Sequence, residues 1–551
     1  MNFTELNKLT EQATSKLHES VHNIESLKQW KAQMFSLIDS IAELKLPSSS
    51  SSSSSLLQTT DQHLSFDPVN WPSARRLAHS ILDSSLDFIQ NIRDHPAWQP
   101  VPVDVRTALE HDALPEYGRP MSDISQDMLK YILPYSIGHS HPRFWGWASG
   151  EGTFGSLLAD IIASAMNTTS SGGTQSAILV ERTVIEWMRQ LFNFPPKTTA
   201  GLVVSGTSMA TIISMAAARH HALFNVRQDG LVNGTQLVAY ASTETHICVI
   251  RALELLGLGS KAMHFISVDE NFCINIDELK KAIREDREKG LTPFCIIGNA
   301  GTVNTGAFDN LLELSSIAHS EHMWLHIDGA FGSLVVLDPN RRHLVAGIDQ
   351  ADSLAFDFHK WLHCQYDAGC VLIRDVSHLN STFSLNQSYL ASSERGCSGY
   401  KPWFSDHGPE LSRTFRALRV WFTLKEHGTV KIGQKIADNC QQAQYLVSLL
   451  EKHSFIRIIR PISLNIVNFR LEPKEFADAD SYVVDVFNNE LVADIQLSGI
   501  AVVSTTNIHK QIYIRVAIIS HRSTLEDFDI FVKCLLDLHQ ARLRTSSSNQ
   551  S

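Results

Sequence analysis

Between residues 200 and 375 the chain alternates short apolar runs with longer stretches of helical periodicity. Leu202–Val204, Leu237–Ala241, Phe294–Ile297, Trp324–Ile327, Leu354–Phe356 and Cys370–Ile373 are brief and almost wholly apolar, as strands covered on both faces are. Between several of them, Met209–Phe224, Glu244–Leu256, Asp277–Glu288 and Leu311–His319 read as helices, with Asp277 and Asp309 where N-caps belong. This alternation predicts an α/β fold with a doubly wound, mostly parallel sheet. In such a sheet the functional groups gather at the carboxyl ends of the strands.

The flanking text is of other kinds. Past residue 430, a helical stretch Val430–Leu450 leads into strand-like Ile456–Ile459, Leu464–Phe469 and Gln511–Ala517, then a helix Leu525–Leu538. That predicts a smaller α+β domain at 431–541, after a large domain at 151–430. Prolines from Pro68 to Pro142 break the preceding segment, 65–150, into short helices with extended joints. Residues 1–46 carry helical spacing (Leu27, Trp30, Met34, Leu37, Ile41) and form a separate extension. The serine run Ser48–Ser55 marks 47–64 as a flexible linker. The serine-rich end, 542–551, reads as a disordered tail.

Composition narrows the class. Lys and Arg total 47 against 58 Asp and Glu, a net charge of −11, which disfavours nucleic acid as a partner because a phosphate backbone calls for a basic footprint. No run approaches the ~18 apolar residues of a membrane span, and Met1–Trp30 lacks the apolar core of a secretory leader. The eight cysteines are dispersed without a CxxC pair, so they read as reduced thiols. Neither His139 with His141 nor His220 with His221 has a Cys or carboxylate ligand set beside it, so no metal site is expected. A cytoplasmic enzyme is the expectation.

The strand ends carry the chemistry. Leu202–Val204 is followed by Ser205-Gly206-Thr207-Ser208 opening a helix, a place where N–H groups and hydroxyls hold phosphate. Leu237–Ala241 leads to His246, and Phe294–Ile297 to a polar loop Gly298–Gly306. Trp324–Ile327 ends in Asp328, a costly place for a charge without a partner. Leu354–Phe356 runs into Asp357-Phe358-His359-Lys360. An Asp closing one strand and a Lys preceded by His closing the next point to pyridoxal phosphate. The lysine forms a Schiff base with its aldehyde, the acid pairs with its ring nitrogen, and the Gly/Ser loop takes its phosphate.

The motifs HSHPRFWGWASG (His139–Gly150), GTSMATIISMAAAR (Gly206–Arg219), THICVIRALELLGLG (Thr245–Gly259), GTVNTGAFDNL (Gly301–Leu311), HIDGAF (His326–Phe331), ADSLAFDFHKWL (Ala351–Leu362) and SRTFRALRVW (Ser412–Trp421) occur in that order. In them the chain resembles the group II pyridoxal-phosphate-dependent amino acid decarboxylases. The resemblance implies the fold-type-I transferase architecture, aspartate aminotransferase-like, with a seven-stranded sheet and a small C-terminal domain. It also implies a homodimer whose N-terminal segment wraps its partner, with active sites at the interface. It makes Lys360 the Schiff-base lysine and Asp328 the ring-nitrogen partner, with His246 stacked on one ring face and Ala330 on the other. Thr207 and Ser208 would bind phosphate, Asp357 and Thr302 would lie near the cofactor, and His359 would flank the lysine. Trp145 and Trp147 align with the segment lining the substrate mouth.

Two departures from the family pattern matter. Phe358 replaces the usual proline before His-Lys. The mobile loop, Tyr389–Glu410, lacks a tyrosine where aromatic-acid relatives use one to protonate the quinonoid carbon: the position falls on Phe404 or, with another anchor, on His407, with Tyr400 close by. His407 suits a general acid near neutrality, whereas phenylalanine there accompanies aldehyde synthesis with O2 in relatives. The expected activity is decarboxylation of an L-amino acid, aromatic by virtue of the tryptophans, to amine and CO2. The alternatives are decarboxylation-dependent oxidative deamination to an aldehyde, decarboxylation of an acidic amino acid held by Arg143, and a catalytically silent binding protein on the same fold.

Overall fold

The computed structural model describes residues 65–232, 234–384, 396–399 and 401–548. Residues 72–551 gather into one compact unit. Of the other unit, residues 1–71, only 65–71 are described, so the expected extension and serine linker lie outside the described residues. The same holds for residues 389–395 and Tyr400 of the loop.

Seven strands build the main sheet: β1 (Ala200–Val204), β2 (Leu237–Ser242), β3 (Met263–Ile266), β4 (Thr292–Asn299), β5 (Trp324–Asp328), β6 (Ser353–Asp357) and β7 (Gly369–Ile373). Their order is β1-β7-β6-β5-β4-β2-β3. β7 runs antiparallel to both of its neighbours, and every other pair is parallel. The apolar runs have a direct cause here. Leu237, Ala239 and Ala241 of β2 join a core on one face, while Val238 and Tyr240 join a core on the other, because strand side chains alternate and both faces are covered. β3 was not anticipated: at the sheet edge, His264 and Phe265 are partly open to solvent and break the apolar run.

A second, antiparallel sheet has the order β10-β11-β9-β8, from β8 (Ile456–Ile458), β9 (Ile466–Leu471), β10 (Ser504–Ile508) and β11 (Gln511–Ala517). Its own core includes Phe469, Leu491, Ile514 and Phe528. The strand β10 and the helix Ser481–Leu497 are further elements that the apolar pattern did not mark.

Helix ends show smaller differences. The caps are Asn275, accepting from the N–H groups of Asp277 and Glu278, and Asn310, accepting from Glu313. Asp309 instead accepts the N–H groups of Ile274 and Asn299 at 2.8 and 2.7 Å, tying two loops together. The first described helix, Trp71–Gln90, is twenty residues long; Pro72 sits in its first turn, where a missing N–H costs nothing, and no proline follows until Pro96. The last helix runs from Leu525 to Ser548, so residues 542–548, read as tail, are helical. Helix propensity is weak but local, and three serines after a long helix do not stop it.

Candidate active site

The carboxyl ends of β1, β2, β4, β5 and β6 open on one cavity of about 420 Å³. Sheet register sets its floor: Asn299 of β4 is paired with Asp328 of β5, and Asp357 of β6 with Gly369 of β7. Gly369 is irreplaceable at that point, since a Cβ there would stand 2.5 Å from the Gly206 Cα and 2.7 Å from Asp357 Oδ1. Its hydrogen lets the Gly206 loop lie against the end of β6.

Asp357 is the hub. Its Oδ2 is 3.0 Å from Lys360 Nζ, its Oδ1 accepts the N–H of Thr207 at 2.7 Å, and His359 Nε2 lies 3.7 Å away. Burial works against the Lys360 charge, but Asp357 and Asp328 outweigh it and the lysine pKa is raised. Asp328 is buried, accepts the Ala330 N–H at 3.1 Å, and has its pKa raised by burial against the pull of Lys360 and His246. The His246 ring opens on the cavity with Nδ1 accepting the N–H of Cys248 at 3.2 Å, which leaves the ring proton on Nε2. Partial burial and the nearby lysine lower its pKa. His359 accepts the Ala368 N–H on Nδ1 at 3.2 Å, and burial lowers its pKa as well.

These residues suit a phosphorylated pyridine. Thr207 begins a sixteen-residue helix, and its buried Oγ1 has no partner. A helix start with an unpaired hydroxyl holds an anion. Thr207 cannot give its N–H as well, because Asp357 takes it. Ser208 opens on the same cavity. Asp328 on the floor is matched to a protonated ring nitrogen, and Lys360 to an aldehyde.

A family model described as the pyridoxal-dependent decarboxylase conserved domain matches residues 102–472. The chain belongs to the pyridoxal-dependent decarboxylase family. It is 34% identical over 455 residues to an aromatic-L-amino-acid decarboxylase of Bacillus atrophaeus, covering 82% of this chain and 92% of that one. It is 27% identical to a phenylacetaldehyde synthase of Petunia hybrida over 460 residues, 81% of this chain and 90% of the relative. In fold it is similar to the crystal structure of Oryza sativa TDC with PLP and tryptamine, with a TM-score of 0.81 at 23% identity over 87% of this chain and all of that one. Members of this family are pyridoxal-phosphate-dependent carboxy-lyases, and the seven-stranded, mostly parallel sheet agrees with the fold-type-I expectation.

Of the residues expected at the site, Lys360, Asp328, His246, Ala330, Thr207, Ser208, Asp357, His359 and Trp147 line the cavity. Four do not. Trp145 is fully buried in the core of the small sheet, stacked on Phe528 at 4.6 Å with Nε1 donating to Ser523. Its backbone joins that sheet through Val502 and Ala517, which turns the side chain inward. Thr302 spends its hydroxyl inside its own loop, on Thr305 and the Ala307 N–H. Phe404 is buried beneath the Arg413 guanidinium, 5.1 Å away. His407 is buried with both ring nitrogens unpaired, and burial lowers its pKa to about 4, so in this position it is the neutral imidazole at neutrality and not the imidazolium that a general acid uses. Arg143 is also engaged elsewhere, on Asp527 and the Ile500 carbonyl, which removes it as a substrate clamp.

Two cavity groups, Arg515 and Asn304, and one residue behind the cavity wall, Tyr366, escaped sequence reasoning. Arg515 of β11 is buried, and desolvation lowers its pKa to about 10. It donates to the carbonyls of Trp147 and Val303, leaving Nε without a partner. A lone arginine inside the apolar run QIYIRVAI was the available signal. Asn304 accepts from Thr506 at 2.9 Å and places an amide at the wall. Tyr366 stacks on His359 with ring centroids 4.2 Å apart, its pKa raised by burial against a hydrogen bond with Ser149 and the charge of Lys360. Nothing in the sequence singled out Asn304 or Tyr366.

Proposed function

We propose that this enzyme converts an aromatic L-amino acid to the corresponding amine and CO2. The observation that carries the reading is the convergence of Lys360, Asp328, His246 and the Thr207 helix start on one cavity whose mouth is Trp147. The relatives' names support an aromatic side chain, and an indole ring at the mouth, 52% exposed, is the matching surface.

Pyridoxal phosphate, when bound, supplies the aldehyde that captures the substrate amine and the ring that accepts the charge left by departing CO2. The chain does the rest. Lys360 is the covalent anchor and, beside Asp357, a proton carrier at Nζ. Asp328 holds positive charge at the ring nitrogen, and its burial makes that pairing strong. His246 and Ala330, both on the cavity wall, would hold the ring between them and so fix its orientation. Thr207 Oγ1 and Ser208 hold the phosphate, and Arg515 offers its free Nε to the substrate carboxylate. Glu244, whose buried Oε2 is unpaired, backs the Asn304 wall.

Three further statements belong to this proposal. The enzyme works as a homodimer, supported by the exposed Phe154, Ile161, Ile162 and Met166 along the apolar helix Phe154–Met166, a surface a partner copy would cover. Residues 151–430 and 431–541 act as large and small domains, supported by the separate core of the second sheet. The location is cytoplasmic; no described helix is long and apolar enough to cross a membrane.

A screen of the twenty amino acids for CO2, with amine, aldehyde and peroxide measured together, tests the reading. Amine and CO2 in equal amounts from an aromatic acid are expected. The second reading, oxidative deamination, is favoured by the aldehyde-synthase relatives. Aldehyde with stoichiometric peroxide would establish it and overturn the first.

A further inference from the structure

Cys248 begins the helix Cys248–Leu255, right after the loop that carries His246, and lies 3% exposed on the wall of the cavity. Three contacts meet on it. Its N–H donates to His246 Nδ1 at 3.2 Å. Its Sγ lies 3.9 Å from Asp328 Oδ2, eighty residues away in the chain. The same sulfur lies 3.9 Å from Thr211 Oγ1, one turn into the helix that Thr207 opens. One residue therefore touches the two groups that flank the ring and the helix that holds the phosphate.

We propose that Cys248 is a positioning residue: its thiol donates to Asp328 Oδ2 and orients that carboxylate, while its N–H holds the His246 ring in one tautomer. The proposal rests on the reading of Asp328 and His246 as cofactor partners. The choice of sulfur has a physical reason. Asp328 Oδ1 is already tied to the Ala330 N–H, so Oδ2 is the oxygen left to face a ring nitrogen. A strong donor on Oδ2 would draw off its negative charge, whereas S–H is a weak donor that orients without neutralising. Burial keeps the thiol protonated, because Asp328 close by and the lack of water both oppose a thiolate. Val249, Ala252 and Leu253 of the same helix are fully buried, which fixes the sulfur in place.

The test uses the full-length holoenzyme and four variants: Cys248→Ser, Cys248→Ala, Cys248→Val and Asp328→Asn. The readouts are the dissociation constant for pyridoxal phosphate and the pH titration of the bound cofactor's visible absorption, with urea unfolding to check that each variant folds. Loss of the donor in Cys248→Ala, and in the space-filling Cys248→Val, is expected to weaken cofactor binding about fivefold and to shift the titration midpoint. Cys248→Ser replaces a sulfur 3.9 Å from Asp328 Oδ2 with an oxygen on a shorter bond, out of hydrogen-bond reach, so it is expected to behave like the alanine variant. Unchanged binding and titration in the folded alanine and valine variants overturn the proposal, as does a folded serine variant that binds and titrates like wild type. An Asp328→Asn variant with wild-type affinity and spectrum overturns the cofactor-partner reading itself, and the proposal with it.

Discussion

Lys360 Nζ and Asp357 Oδ2 stand 3.0 Å apart, and the other oxygen of the same carboxylate holds the N–H of Thr207. One side chain thus links the reactive amine to the start of the helix proposed to hold the phosphate. Asp357→Asn keeps an acceptor for Thr207 and removes the charge that keeps Lys360 protonated. Only the neutral amine attacks an aldehyde, so cofactor capture by the apoenzyme accelerates as pH rises through the lysine pKa. With Asp357 raising that pKa, the substitution moves the profile to lower pH by about one unit or more. Stopped-flow absorbance of apoenzyme mixed with pyridoxal phosphate measures it, and an unmoved profile contradicts the assignment.

The two tryptophans of the WGW text separate stability from substrate binding. Trp145→Ala removes a fully buried ring stacked on Phe528 and is expected to cost about 3–5 kcal/mol, read as a lowered urea midpoint. Trp147→Ala takes a half-exposed ring from the cavity mouth, so it leaves the midpoint nearly unchanged and raises KM for an aromatic substrate severalfold. The reverse pattern would place the mouth elsewhere.

Arg413, from the SRTFRAL text, is 4% exposed and pairs with the buried Glu181. It also donates to the carbonyls of Ser170 and Val203 at 2.7 Å, while Glu181 accepts the Val203 N–H at 3.0 Å. Arg413→Met strands a buried carboxylate, at a cost of about 3–5 kcal/mol. The double substitution with Glu181→Leu recovers part of that loss, as a double-mutant cycle on unfolding midpoints will show.

Acid sensitivity follows from buried histidines. Burial lowers the pKa values of His141 and His407 to about 4, against about 6.5 in an unfolded chain. Between pH 6.5 and 4 the unfolded state binds more protons, so stability falls as pH falls through that window. Each ring contributes on the order of 1–3 kcal/mol. His407→Leu is expected to flatten the pH dependence of the urea midpoint while leaving its value at pH 8 little changed, since its ring nitrogens have no partners to lose.

Six strands of the main sheet, the family, and the placing of Asp328 and Lys360 just at or after the ends of two neighbouring strands were legible in the chain itself. A strand covered on both faces must be apolar throughout, and a charge closing such a run needs a partner, so Asp328, Asp357 and Lys360 announce themselves. Tertiary structure decided which way side chains point. Trp145 and Trp147 lie two residues apart, yet annexation of Trp145 to the small sheet buries one and leaves the other at the cavity. Arg515 reaches the site from a separate sheet, and Cys248 meets Asp328 only because β4 alone separates β2 from β5 in the strand order. Local periodicity encodes burial within an element, but contacts between elements far apart in sequence depend on strand order and register, which no single stretch of residues contains.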